Sequence, residues 1–221
     1  MNKKLLSILC ICALMLAITM PSNAATGYQG YAVCRDGVGI IGGIQYVDEW
    51  HTGIIMVPTV TGVTNVSEIA HVENLSIYDS SHITDWDEFM DDGNGFVKEQ
   101  QGCYRPLTTI SSLERNYVMD TAEEVADMEV EYILYAQINY DYEYNPQGKT
   151  TVDPEDVISM RCDGFVEYAY EYNDIRIYGD DDCWNISEWG EATNDEHSWG
   201  RITPRQQAEN YMRFVADINV D

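Results

Sequence analysis

The pattern of the chain changes at about Pro106, and that change limits the folds open to it. From Gly27 to that point, short β-branched or alternating runs recur at 31–35, 38–46, 51–57, 67–72 and 75–79, separated by Gly, Pro, Asn and Asp. A further run at Gly102–Arg105 ends the series, and Trp86–Met90 interrupts it as a short helical turn. Beyond Pro106 the apolar spacing becomes helical. Ser111-Ser-Leu-Glu114 is a capping box, in which serine and glutamate each satisfy an orphan N–H at a helix start. Val118, Ala122 and Val125 then mark a buried stripe lasting to about Met128. The Tyr-rich stretch Glu131–Tyr144 fits neither period. Another helix is expected from Cys162 to Tyr172, and a last one starts at Thr203-Pro-Arg-Gln206, with proline at its first position, and runs to Ala216. Strands first and helices after predict an α+β domain.

The first residues read as a segment outside that domain. Lys3 and Lys4 precede a charge-free apolar run from Leu5 to Met20, and Ser22 and Ala24 supply the small residues of a cleavage site. This is the pattern of a secretory signal peptide over 1–24, which predicts a secreted or extracytoplasmic protein with one domain over 25–221. Cys10 and Cys12 leave with the signal. No later run approaches the roughly 20 apolar residues of a membrane helix, so no transmembrane segment is expected in the mature chain. With 38 acidic residues against 12 basic ones, two of them Lys3 and Lys4, the mature charge is strongly negative. Such a surface repels nucleic acid and anionic membranes, and neither is an expected partner.

Four cysteines remain: Cys34, Cys103, Cys162 and Cys183. In an oxidising compartment they allow bridges, and Cys34 with Cys103, both in β-like runs, is the favoured pair. Cys162 reads differently. It directly precedes a helical apolar pattern in which Val166, Ala169 and Tyr170 share its face, so its sulfur falls in the first helical turn. Unpaired N–H groups and the positive end of the helix dipole favour a thiolate there. A nucleophilic cysteine also needs a base, and His51 supplies one, at the mouth of the strand-like run Glu49-Trp-His-Thr-Gly-Ile-Ile-Met-Val57. His82 and His197 lie in polar, loop-like stretches and read as surface residues.

The order of these segments carries a resemblance. Arg35-Asp-Gly37 is followed by Trp50-His-Thr-Gly-Ile54, the strand Glu68–Glu73, the Trp86-Asp-Glu-Phe turn, Cys103-Tyr-Arg-Pro106 and finally Arg161-Cys-Asp-Gly-Phe-Val-Glu-Tyr168. This series resembles the circularly permuted branch of the NlpC-like, papain-fold cysteine hydrolases, related to lecithin:retinol acyltransferase, in which the histidine precedes the cysteine. The likeness spans about Tyr31 to Phe214. Arg161 departs from it, since many unpermuted relatives carry an acid before the cysteine. The resemblance implies a permuted papain-like domain, an antiparallel sheet or barrel packed against helices, with the cysteine at a helix N-terminus. It implies a peptidase or amidase in which Cys162 attacks a carbonyl and His51 takes and returns the proton. It also implies an orienting polar residue on the next strand, with His71 first and Glu73, Glu68 and Asn65 as the alternatives. The substrate would be a peptide, amide or acyl group, including cell-envelope peptides, and an acceptor other than water would make the protein a transferase. No cofactor and no metal is required.

Two other readings compete. The first is a secreted binding module that keeps such a fold without catalysis, for which sixteen tyrosines and five tryptophans would line a groove. The second is metal binding. Asp91-Asp-Gly-Asn-Gly95 and Asp180-Asp-Asp182 suggest calcium but lack EF-hand spacing, and a Cys162, His51 and His71 zinc site lacks short-range ligand spacing. The sequons at Asn65, Asn74 and Asn185 carry no weight either way.

Overall fold

The computed structural model describes residues 27–37, 39–41, 44–46, 50–57, 68–74, 79–91, 99–133, 137–140, 152–177 and 203–217. The expected signal segment over 1–24, Asn65, Cys183, Asn185, His197 and the Asp180–Asp182 run lie outside them. Eleven strands are described: β1 Ala32–Asp36, β2 Gly39–Ile41, β3 Ile44–Tyr46, β4 Trp50–Ile55, β5 Glu68–Asn74, β6 Asp79–Asp85, β7 Gln100–Pro106, β8 Glu131–Tyr132, β9 Ile138–Tyr140, β10 Val157–Met160 and β11 Met212–Ala216. The helices are α1 Trp86–Met90, α2 Ser112–Asp127, α3 Cys162–Glu171 and α4 Pro204–Gln206. Nine strands form one sheet in the order β11-β7-β1-β4-β5-β6-β8-β10-β9, curled into an open half-barrel packed with helices. Strands β2 and β3 pair separately as a hairpin. The architecture is α+β.

Period-two alternation along the strands divides the buried apolar residues between two faces. Ala32, Cys34, Ile54, Ala70 and Val72 join Val118, Val125, Phe165, Val166 and Tyr170 from α2 and α3 in the larger core. Val33, Ile55, Ile69 and Cys103 face the other way, against Trp86, Phe89 and Met90 of α1. Helix α2 begins where its capping box predicts: the Ser111 hydroxyl accepts from the Glu114 N–H at 3.2 Å, and Glu114 accepts from the Ser111 N–H at 2.6 Å.

Two expectations fail on non-local grounds. The last helix does not reach Ala216. Thr203 and Gln206 form a reciprocal cap as expected, but α4 ends at Gln206, a wide π-type turn covers Gln207–Tyr211, and the chain then extends as β11. Strand β11 pairs antiparallel with β7 and covers an edge that would otherwise stay open. Phe214 and Val215, both good strand formers, take that role at no cost in propensity. The Cys34–Cys103 bridge is also absent, and both thiols are free and buried. In the β1–β7 register Cys103 lies opposite Val33 and Cys34 opposite Gly102, so the two sulfurs leave opposite faces of the sheet. A bridge between them would require a register slip that turns a core face outward. Mass spectrometry of the unreduced protein is therefore expected to find no peptide joining Cys34 to Cys103, and such a peptide would contradict this register.

Candidate active site

Strands β1, β4, β5 and β6 bring five polar side chains to the α1 face of the sheet. His51 lies on β4, His71 and Glu73 on β5, His82 on β6 and Arg35 on β1, with Arg35 opposite His51 and His71 opposite His82 in register. Gly53 permits the close approach. A Cβ there would lie 2.6 Å from an Ile69 methyl and 2.9 Å from the His71 Cβ. His51 Nε2 lies 2.7 Å from His71 Nδ1, a hydrogen bond carried by one shared proton. The Glu73 carboxylate stands beside that bond, one oxygen 3.9 Å from His51 Nε2 and 3.8 Å from His71 Nδ1. Arg35 reaches the same oxygen at 3.6 Å, and His82 Nε2 reaches the other at 3.5 Å. Phe89 of α1 underlies the group, its ring 5.4 Å from that of His51, 5.2 Å from that of His71 and 5.3 Å from the Arg35 guanidinium carbon.

Burial dominates the electrostatics. It holds His51 well below the ordinary histidine range, and Arg35, His71 and His82 push the same way. His71, completely buried, is lowered by burial, then by His82 and Arg35. Both imidazoles are therefore neutral near pH 7. Burial would lower His82 too, but its contacts with Glu73 and the Ser80 carbonyl outweigh burial and raise it. His82 is half-buried and belongs to this cluster, contrary to its reading as a surface residue. A hairpin register equating His71 with His82 is the signal that would have found it, and that register depends on turn residues the pattern of apolar side chains does not fix.

Cys162, at the start of α3, packs in the larger core, on the sheet face opposite the histidine cluster, and meets β4 only at its backbone. The β4–β5 pairing covers Ile54↔Ala70 and Ile55↔Ile69 and stops short of Thr52. The Thr52 backbone N–H instead donates towards the Cys162 sulfur. The nucleophile candidate thus touches the residue next to His51, while no hydrogen bond joins the thiol to either imidazole. A buried polar belt fixes the start of α3. Arg161 pairs with Asp163 through both carboxylate oxygens, and the Gln137 amide donates to Asp163 at 3.1 Å and to Glu167 at 2.6 Å. The Gln207 amide donates to the Asp163 carbonyl at 2.9 Å. Arg161, the departure noted in the sequence, is thereby the partner of a buried acid.

The helix start does not yield a resting thiolate. Burial pushes the Cys162 thiol up to about 12, aided by the Asp163 carboxylate, and outweighs the Thr52 N–H, Arg161 and Arg35 acting the other way. The dipole argument is sound, but a terminal dipole contributes about 0.3–1 kcal/mol when exposed, less than the cost of burying a charge. The expected sites are thus joined in part: His51 meets His71, and Cys162 meets the adjacent Thr52. Of the other third-residue candidates, Glu73 is beside the pair, Glu68 is exposed opposite Asp85, and Asn65 is outside the described residues. His51, His71 and Glu73 also have ligand atoms within 4.8 Å of one another, a donor set able to hold a metal ion. No described helix is long and apolar enough to cross a membrane. Comparison with protein-family models, curated proteins and solved structures finds no match for this chain.

Proposed function

We propose that this chain is a secreted cysteine hydrolase, a peptidase or amidase on a permuted papain-like domain of the NlpC-related type, acting on peptide or amide bonds such as those of cell-envelope peptides. The observation that carries the reading is the 2.7 Å contact between His51 Nε2 and His71 Nδ1, one residue from the Thr52 amide that holds the Cys162 sulfur. A base must present a lone pair to the thiol. With Nε2–H of His51 donating to His71, Nδ1 of His51 carries that lone pair, and His71 fixes the tautomer.

The reaction requires Cys162 and His51 to meet at the end of β4, where the β4–β5 pairing stops short of Thr52. The thiol proton passes to His51 Nδ1 as sulfur attacks the carbonyl carbon. The Glu73 carboxylate beside Nε2 stabilises the imidazolium that forms. Collapse of the tetrahedral intermediate returns the proton to the leaving amine and leaves a thioester on Cys162, which water then hydrolyses. Resting neutrality of both groups is compatible with this route, because proton transfer and attack occur in one step.

Alkylation by iodoacetamide followed by peptide mass spectrometry tests the pair. All three described thiols are buried, so assistance from His51 is what should make Cys162 react faster than Cys34 and Cys103. His51→Ala should slow Cys162 by at least about 10-fold, since general-base assistance contributes roughly 10²–10⁴. A rate at Cys162 indifferent to His51→Ala would leave a binding module on this fold as the better account.

A further inference from the structure

The two nitrogens that share the relay proton, with the Glu73 oxygen beside them, are spaced for a metal. The triangle of His51 Nε2, His71 Nδ1 and Glu73 Oε2 has sides of 2.7, 3.8 and 3.9 Å. A circle through three points so spaced has a radius of about 2.1 Å, the length of a zinc–imidazole or zinc–carboxylate bond. Tetrahedral coordination at that bond length separates ligands by about 3.4 Å, so the His51–His71 edge must open and the two Glu73 edges close by about half an ångström. The His51–His71 edge is short because a proton bridges it, and a metal takes the proton's place.

We infer that His51, His71 and Glu73 form a site for a zinc-class divalent ion, and that its occupancy switches off the cysteine chemistry. Two imidazoles and one carboxylate select zinc and its transition-metal neighbours over calcium or magnesium, which prefer all-oxygen shells. The outer partners are in place, with Arg35 and His82 bracketing the Glu73 carboxylate at 3.6 and 3.5 Å. The Arg35 positive charge opposes the cation and keeps binding reversible. His51, with its side chain about 10% exposed, is the side from which an ion reaches the buried pair.

The consequence for catalysis follows from proton positions. Zinc takes the lone pair of His71 Nδ1, already an acceptor in the relay, so that ring keeps its tautomer. On His51 zinc takes Nε2, and the proton held there moves to Nδ1. No proton is gained or lost, but Nδ1 now carries a hydrogen and cannot accept one from Cys162. The switching half of this inference rests on the hydrolase reading; the binding half does not.

The test uses the untagged protein stripped by chelator and titrated with zinc chloride, read by thermal melting. The melting temperature is expected to rise and saturate at one equivalent. Glu73→Gln and His71→Gln should each lose the rise, and Cys162→Ser should keep it. Cobalt(II) in the unsubstituted protein should give ligand-field absorption without a thiolate charge-transfer band, an arm that needs no variant to fold. Zinc should also slow Cys162 alkylation at least 10-fold in the unsubstituted protein and leave the rate unchanged in Glu73→Gln. No melting shift, a shift kept by Glu73→Gln, or one lost in Cys162→Ser would overturn the site. A zinc shift with unaltered, His51-dependent alkylation would overturn the switch alone. If the metal-free alkylation ignores His51, the hydrolase reading and the switch fail together, and the zinc shift still decides the site.

Discussion

Gly164→Ala is expected to destabilise this protein by about 3 kcal/mol or more, at the upper end of what overpacking a core costs. The single added carbon would lie 1.8 Å from the Gln137 carbonyl oxygen and 2.5 Å from its carbon. Both are backbone atoms, so no side-chain rotation relieves the clash. That same carbonyl accepts the Arg161 N–H at 2.9 Å, and pushing it aside breaks the contact that joins the start of α3 to the Gln137 segment. Helix propensity acts the other way, since alanine is better than glycine in a helix by about 1 kcal/mol. The clash outweighs it. In a domain of this size the loss lowers the melting temperature by roughly 2–4 °C per kcal/mol, about 10 °C in all. Thermal melting measures it, and a variant as stable as the parent would mean that Gln137 does not lie against the helix. Cys162 sits two residues away, so its alkylation should change as well.

Acidification of the metal-free protein below about pH 6.5 is expected to destabilise it steeply before carboxylates begin to titrate. His51 and His71 are both lowered by burial, so in this window the unfolded chain binds protons that the folded one refuses. Their contribution is fully present above the unfolded value near 6.5 and falls as pH drops from there towards the folded values. The slope is at most about 1.4 kcal/mol per pH unit for each histidine. His82 has the opposite sign. Its folded value is raised, so its contribution is complete below 6.5 and is lost as pH rises above that through the folded value. It therefore does nothing to offset the acid loss and places the stability maximum close to neutrality. Urea unfolding in chelator between pH 7 and pH 5 measures the slope. A flat profile would show that the two imidazoles are hydrated rather than buried, and His51→Gln with His71→Gln should flatten a sloping one.

The local signals were legible because each is complete within a few residues. Ser111 and Glu114 cap α2, Pro204 opens α4, Cys162 starts α3 and Trp86–Met90 is α1, all as the sequence reads. The run expected over 51–57 is strand β4, Trp50–Ile55, with His51 near its mouth, and His71 is on the next strand of the sheet, where an orienting residue was expected. What failed was non-local. Phe214 and Val215 sit in a stretch that a helix starting at Pro204 could include, and only the open edge of β7 makes it a strand.

By itself, the sequence determined the α+β class and most element starts, because caps, periodicity and β-branching act between near neighbours; that His51 meets His71 came from strand pairing. The tertiary structure alone decided which face each strand residue takes, and with it that Cys34 and Cys103 stay apart while Glu73, His82 and Arg35 close around the histidine pair. It also decided that Cys162 rests as a thiol. Charge state depends on how much water is removed from all sides of a group, and strand register on partners distant in the chain, and neither quantity is carried by any local run of residues.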